Sequence, residues 1–169
     1  FPDRVYYYRI VSRDAAGNVV TDDNNGELYT FRTLMPVIAP WFDNLDSGAT
    51  NWSTYTDPSS YVPGVTPEWQ LGTPNNDLDV AAHSDPNAWG TSLNGAAMDY
   101  AECFLISPAI YLTNGNTATL RFWQNYDFPD ISGYDFEMGQ LYVIPSSGAA
   151  VTVGEFYDSS YGWEEAEYD

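Results

Sequence analysis

Carboxylates are the side chains in this sequence with the most chemistry open to them. Asp43 and Asp46 stand close together in the polar, turn-like segment 42–48. A turn of this kind gathers two carboxylates and one or two backbone carbonyls, which are the oxygen ligands that Ca²⁺ prefers. The alternative is an Asx turn, in which an aspartate side chain accepts a hydrogen bond from the backbone two residues further on. The segment therefore predicts either a calcium site or a capped turn.

Two further acids are candidate ligands for the same cation. Asp85 follows His83 in a segment rich in Asp and Asn, and Glu102 directly precedes an apolar run, as Asp99 does slightly earlier. Glu102 or Asp99 could fold back toward the strand that begins near Asp43. The alternative for each is an acid that faces solvent at the mouth of a strand. We predict Ca²⁺ as the cation, and the candidate metal ligands are Asp43, Asp46, Asp85 and Glu102.

Catalytic arrangements are not indicated. Cys103 and His83 are the single cysteine and the single histidine, and they stand 20 positions apart with no partner residue at a recognisable spacing. The sequence has no His-Glu-x-x-His, no Gly-x-Ser-x-Gly and no glycine-rich phosphate loop. We predict no catalytic residue in this chain. Cys103, which precedes three apolar residues, is predicted to be a buried inert thiol, and His83 a structural hydrogen-bonding residue.

The charge excludes several classes of partner. The 169 residues include 24 Asp and Glu against 5 basic residues, all of them Arg, for a net charge of −19. A surface this negative repels nucleic acid phosphates and disfavours anionic membranes. No apolar run approaches the roughly 18 residues that a membrane-spanning helix needs. We therefore expect no binding to nucleic acid and no membrane insertion, and either a solvated acidic surface or carboxylates that bind a hard cation.

The elements that position these residues are predicted to be strands. The 13 Gly and 11 Pro interrupt the chain at short intervals, and no helical periodicity is sustained. Short runs rich in Tyr, Val, Ile, Phe and Thr recur instead, which predicts an all-β fold. The clearest runs are 5–12, 28–33, 102–106, 118–125, 140–144 and 152–157.

The first 33 residues resemble the last two strands of a fibronectin type III domain. Pro2, Tyr6 four residues later and the segment 14–18 carry this resemblance. It implies an immunoglobulin-like hairpin in which the Tyr6 hydroxyl pins the adjacent connection, and it implies that the earlier strands precede this chain. Residues 34–40 contain two prolines, which predicts a stiff, extended linker packed on a neighbouring element.

Residues 41–169 resemble the jelly-roll accessory domains of secreted bacterial proteins, which include MAM-type, cleaved-adhesin and immune-inhibitor-A-type domains. The succession that carries the resemblance is 41–44, 51–52, 69–74, 83–91, 105–112, 118–123 and 137–143. The resemblance implies a jelly-roll β-sandwich whose last strands are missing, an extracellular location, and a first-strand acid, here Asp43, as a Ca²⁺ ligand. Because both domains would be cut through, we expect residues 1–169 to be unstable when expressed alone.

Three functions are compatible with these observations. The favoured one is a non-catalytic, extracellular, Ca²⁺-stabilised adhesion, binding or structural module of a large secreted or cell-surface bacterial protein. The second is an accessory domain of a secreted peptidase whose catalytic domain lies outside this span, and the third is a subunit of an extracellular filament. The predicted partners are other domains of the same long chain, a neighbouring protein or glycan surface, or further copies in self-assembly.

Overall fold

Short strands make up the regular secondary structure of the described residues. The computed structural model describes residues 3–59, 69–75, 80–94, 102–113, 117–128 and 137–169, and no helix occurs in these ranges. The predicted all-β fold class is confirmed, and the six predicted runs all contain strands. The strands are β1 (Val5–Tyr8), β2 (Ile10–Arg13), β3 (Val19–Asp22), β4 (Tyr29–Arg32), β5 (Val37–Ile38), β6 (Ser53–Thr56), β7 (Gln70–Gly72), β8 (Ala88–Gly90), β9 (Cys103–Ile106), β10 (Ile110–Tyr111), β11 (Leu120–Gln124), β12 (Gly139–Val143), β13 (Val151–Phe156) and β14 (Glu164–Tyr168).

The described strands associate in pairs. The pairs β1–β4, β2–β3, β6–β9, β7–β8, β11–β14 and β12–β13 are antiparallel, and β5–β10 is parallel. The chain divides into two compact units, the first formed by Phe1–Trp69 with Asp99–Thr113 and the second by Gln70–Met98 with Asn114–Asp169. Each strand pair falls within one unit. This division differs from the predicted domains 1–33, 34–40 and 41–169, whose boundaries stay a prediction.

In the first unit, the N-terminal segment forms a ribbon of two strand pairs. The predicted pairing of runs 5–12 and 28–33 holds for β1 and β4, where Tyr6 stands opposite Phe31 and their rings stack with centroids 5.3 Å apart. The rest of the first run, β2, pairs instead with β3 in the segment that the sequence predicts to be a polar connection. The turn between β2 and β3 is closed by Asp14, whose Oδ1 accepts a 2.8 Å hydrogen bond from the Asn18 backbone N–H. The hydrogen bonds from Asn18 lower the pKa of Asp14. Gly17 has φ +89° in this turn, a conformation that favours glycine.

The proline-bounded segment of the first unit packs on a neighbouring strand, as the sequence predicts for the linker. β5 lies parallel to β10, with Val37 N–H donating to the Ala109 carbonyl at 2.8 Å and Ala39 N–H donating to the Tyr111 carbonyl at 3.1 Å. Through these bonds the backbone groups of the segment pair within the protein, whereas in a free linker they would hydrogen-bond to water. The segment is therefore held along the first unit by main-chain pairing.

In the second unit, the pairs β11–β14 and β12–β13 pack through one face each. On the β11–β14 pair, Phe122 and Ala166 stand opposite each other and therefore share a face. Tyr168, two residues after Ala166, lies on the same face because side chains alternate along a strand. The Tyr168 ring lies directly over Gly154 of β13, which has no side chain to obstruct it. Gly139 of β12 admits Phe128 and Phe156 in the same way. Tyr126 stacks on Phe128 and contacts Phe156 at a tilt, each with ring centroids 5.5 Å apart. The two glycines of the β12–β13 pair thus make room for aromatic rings, among them Tyr168 of β14 and Phe156 of β13, in a small sandwich-like core.

The hairpin β7–β8 has a separate apolar centre built around Leu93. Leu93 is 7 % exposed, and its two methyl groups lie over Gly72 and Gly90. Its carbonyl accepts a 2.7 Å hydrogen bond from the Asn75 N–H, which fixes the segment after β8 against the segment after β7. Other buried residues among the described apolar ones are Ala82, Ala88, Pro108 and Ala166.

Candidate functional site

Asp43 lies in a loop of the first unit and uses both carboxylate oxygens within the chain. Its Oδ1 accepts a 2.8 Å hydrogen bond from the Leu45 backbone N–H, and its Oδ2 accepts one of the same length from the Trp52 indole N–H. The first of these bonds is the predicted Asx turn. The second closes the loop 43–52, and it sets Trp52 against Trp41 with ring centroids 6.1 Å apart. Asp43 therefore has a clear structural role.

Asp46 follows in the same turn and is exposed. Its Oδ2 accepts a 2.5 Å hydrogen bond from the Asn44 side-chain amide, and its backbone N–H donates to the Asn44 Oδ1 at 3.3 Å. The structure thus brings Asp43 and Asp46 into one turn, as predicted. Two carboxylates supply at most four oxygens, and Ca²⁺ takes about six to eight. A site here therefore needs backbone carbonyls and water in addition.

The other two predicted ligands lie elsewhere. Asp85 is exposed in the bend that precedes β8, in the second unit. Glu102 is exposed directly before β9 in the first unit, and its carbonyl accepts a 2.9 Å hydrogen bond from the Asp57 N–H. Asp99 lies outside the described residues. Across the described ranges, no group of three or more His, Cys, Asp or Glu side chains stands close enough to hold a metal ion, and calcium binding stays a prediction.

The single cysteine and the single histidine occupy different surroundings. Cys103 is half-buried in β9, and Thr56 of β6 donates its hydroxyl toward the Cys103 Sγ at 3.7 Å. His83 is exposed, and its contacts to described residues are ring contacts rather than hydrogen bonds. The histidine ring stacks on Trp123 with centroids 3.9 Å apart and planes at 12°, and its edge contacts Trp163 at 5.9 Å. The hydrogen-bonding role predicted for His83 is therefore not seen among the described residues, where its ring stacks on tryptophan instead.

The histidine belongs to an aromatic and acidic face that the sequence patterns did not reveal. Trp163 anchors the segment before β8, because its indole N–H donates to the Ala81 carbonyl at 2.9 Å. Trp123 of β11 stands opposite Glu165 of β14 and shares its face of the pair. We call this surface the Trp123 face, and its members are His83, Arg121, Trp123, Trp163, Glu165 and Glu167. The signal that could have found it is the alternation of Arg121 and Trp123 along a strand whose other side is apolar.

One ion pair crosses the Trp123 face. The Arg121 Nε donates to the Glu167 Oε2 at 2.6 Å, and both side chains are more than half exposed. The hydrogen bond to Glu167 raises the pKa of Arg121, and the negative charges of Glu167, Glu165 and Asp169 act in the same direction. Because the pair is exposed, it adds little to the stability of the fold.

In comparisons with known proteins, the chain is similar in sequence to a segment of a larger bacterial protein. It is 22 % identical over 163 residues to Bacillopeptidase F of Bacillus subtilis (strain 168), and this similarity covers 96 % of the chain. The chain spans about a tenth of the length of that curated relative, since 10 % of it is covered. No protein-family model matches the sequence, and no solved structure matches it. Within the described residues, no helix is long and apolar enough to cross a membrane.

Proposed function

We propose that the chain is a non-catalytic accessory module of a larger secreted bacterial protein of the peptidase type. The observation that carries this proposal is the similarity to Bacillopeptidase F, which extends over nearly the whole chain and over only a tenth of the relative. The catalytic residues of such a protein would lie outside this chain.

The surface of the module fits attachment to other macromolecules. Tyr7 is 67 % exposed and Val20 69 % exposed on the N-terminal ribbon, where they present large apolar groups beside polar ones. Apolar groups of this size at a surface favour contact with a partner that excludes water from them. We propose that the module contacts other domains of its own polypeptide or a neighbouring protein or glycan surface, outside the cell.

Deletion of the module should leave the chemistry of its parent protein intact. Removing residues 1–169 from the full-length polypeptide should change kcat/KM on short chromogenic peptides by less than about twofold, because such substrates touch the catalytic groups alone. Cleavage of a large protein substrate, or retention of the enzyme at the cell surface, should fall. The measurement compares the full-length enzyme with the deletion variant. Active-site titration sets the concentration of each, so that misfolded protein does not enter kcat.

Two outcomes would contradict this proposal. One is a loss of about a hundredfold or more in kcat/KM on the short peptides at equal active-site concentration, since that would place catalytic groups in the module. The other is a full-length polypeptide that contains no catalytic domain of the peptidase type. The isolated chain serves as the control and should hydrolyse none of the substrates.

We also propose that the module binds at least one Ca²⁺ through Asp43. The support is chemical. Asp43 and Asp46 lie in one turn, each carboxylate oxygen can accept more than one contact, and the net charge of −19 creates self-repulsion that a divalent cation relieves. Ca²⁺ bound to the folded state alone raises stability, and at a hundredfold excess over Kd the gain is about 2.7 kcal/mol.

Thermal melts of the full-length protein in Ca²⁺, Mg²⁺ and chelator test the calcium proposal. Ca²⁺ should raise the melting temperature of the module, and Mg²⁺ should do so poorly because it demands tight octahedral geometry. Asp43→Asn keeps an oxygen acceptor for the Leu45 N–H but removes the charge, so it should abolish the Ca²⁺-dependent increment. The matched control is Asp57→Asn, because Asp57 caps a turn through Ser59 in the same way. A melting temperature unchanged by chelator would show the proposal to be wrong.

A further inference from the structure

We propose that the Trp123 face is a docking site for a basic protein segment, which places an Arg or Lys side chain between the Trp123 ring and the Glu165 carboxylate. Trp123 is 46 % exposed although His83 stacks on its ring. An exposed indole attracts a cation through the negative face of its π system, and tryptophan is the best side chain for this contact. The proposal goes beyond the accessory role, since it names a surface and the chemistry of its partner.

Glu165 supplies the charge that such a partner needs. It stands directly opposite Trp123 across the β11–β14 pair, so the carboxylate and the indole project from the same face. Within the part of the chain that the structure describes, Glu165 takes part in no ion pair within 4.0 Å, and its charge acts on Arg121 at longer range. A carboxylate next to an exposed indole offers an incoming cation both a charge-assisted hydrogen bond and a cation–π contact.

The same face already holds one guanidinium against a carboxylate. Arg121 lies two residues before Trp123 on β11, and its Nε contacts Glu167 of β14 at 2.6 Å. Two residues further along β11, Trp123 stands opposite Glu165 as Arg121 stands opposite Glu167. Glu165 therefore has an aromatic neighbour across the pair where Glu167 has a cation. A basic side chain from a partner would complete the repeat.

The aromatic part of the face is held in place before any partner arrives. The Trp163 indole donates to the Ala81 carbonyl at 2.9 Å, and His83 lies stacked against Trp123 and edge-on to Trp163. These contacts hold the segment 81–83 against β11 and β14, so little side-chain freedom is lost on binding.

Charge complementarity selects a basic protein segment as the occupant. The net charge of −19 and the absence of Lys make the chain attractive to cations and repulsive to a second copy of itself. The exposed acids Glu164, Glu165 and Glu167 concentrate this charge along β14. An anionic glycan or lipid surface would be repelled by the same negative charge. An arginine-bearing segment would instead be attracted to it electrostatically.

Titration calorimetry on the full-length protein at physiological salt tests this site. The probe is a capped peptide of alternating Gly and Arg, and the matched control probe has citrulline, an uncharged isostere, at each Arg. The Arg peptide should bind with a Kd below about 1 mM, and the citrulline peptide should bind at least about tenfold more weakly. Glu165→Gln and Trp123→Leu should each weaken binding of the Arg peptide about fivefold.

The control variant is Glu27→Gln, which makes the same charge change at an exposed turn of the first unit. It should change the Kd by less than about 1.5-fold, since Glu27 is not a member of the Trp123 face and contributes only to the net charge. If Glu27→Gln and Glu165→Gln weaken binding equally, net charge alone attracts the peptide and the site is disproved. Equal binding of both peptides, no binding, or preference for a neutral chitin oligosaccharide that Trp123→Leu removes would each overturn the proposal as well. Glu165→Gln keeps the size of the side chain, so the test holds even if Trp123→Leu fails to fold.

Discussion

Replacing Leu93 with alanine should lower the free energy of opening of the β7–β8 hairpin by about 3 kcal/mol, within the range measured for buried leucines. Leu93 is 7 % exposed and is the large side chain that fills this part of the second unit. Its Cδ1 and Cδ2 would lie 3.2 and 2.8 Å from β-carbons built on Gly72 and Gly90, so the methyl groups rest directly on the two strands. Alanine would remove this contact and leave a cavity that two glycines have no side chains to fill.

Hydrogen exchange measured by mass spectrometry on the full-length protein checks this expectation. Peptides that cover β7 and β8 should lose about a hundredfold in protection, which is the factor that corresponds to about 3 kcal/mol. Leu34→Ala makes the same chemical change at a side chain that is 57 % exposed, and it should leave these peptides unaffected. Equal exchange in wild type and Leu93→Ala would show that Leu93 does not hold the hairpin together.

Replacing Gly154 with alanine should destabilise the second unit by about 2 kcal/mol through overpacking. A β-carbon at this position would lie 2.6 Å from the Tyr168 hydroxyl oxygen and 2.9 Å from the Cζ of the same ring. Since Tyr168 is part of β14 and its ring also stacks near Phe122 at 6.2 Å, displacing it would loosen the pairing of β14 with β11. Gly154 is thus required by the close approach of the ring.

A double-mutant cycle separates this clash from other effects of the substitution. Calorimetry on the full-length protein should show the melting temperature of the unit falling by about 10 °C in Gly154→Ala. In the Tyr168→Ala background the same substitution should cost less by at least about 1 kcal/mol, because no ring is left to collide with the new methyl group. Strict additivity of the two changes would contradict the packing described for this core.

Short runs of strand-forming residues predict half of the 14 described strands, and β14 is missed for a physical reason. The run at 118–125 contains β11, in which Leu120 and Phe122 alternate with Arg121 as a half-buried strand requires, and the run at 140–144 contains most of β12. β14 has the sequence Glu-Glu-Ala-Glu-Tyr, which looks like a solvated acidic segment because acids are depleted in strands. Its strand state depends on partners distant in sequence, Arg121 for Glu167 and Gln124 for Glu164.

Of the two candidate sites, one could be predicted from the sequence and the other could not. Spacing alone brings Asp43 and Asp46 into one turn, since both lie in the same short segment. The Trp123 face joins residues around positions 83, 123 and 165, and only the register of β11 with β14 and the anchoring of segment 81–83 bring them together. Local patterns thus find turns, whereas sites assembled by long-range pairing need the structure.

The Arg121–Glu167 pair has a consequence for the lifetime of the protein among extracellular trypsin-like enzymes. Such enzymes cut after Arg or Lys, and the chain beyond Arg32 contains Arg121 as its one residue of either kind. Arg121 lies inside β11, its backbone paired with β14 and its guanidinium bound to Glu167. An enzyme would have to open the strand pair before it could reach this bond. The composition that makes the chain so acidic thus leaves residues 33–169 with a single point of tryptic attack, and the β11–β14 register shields it.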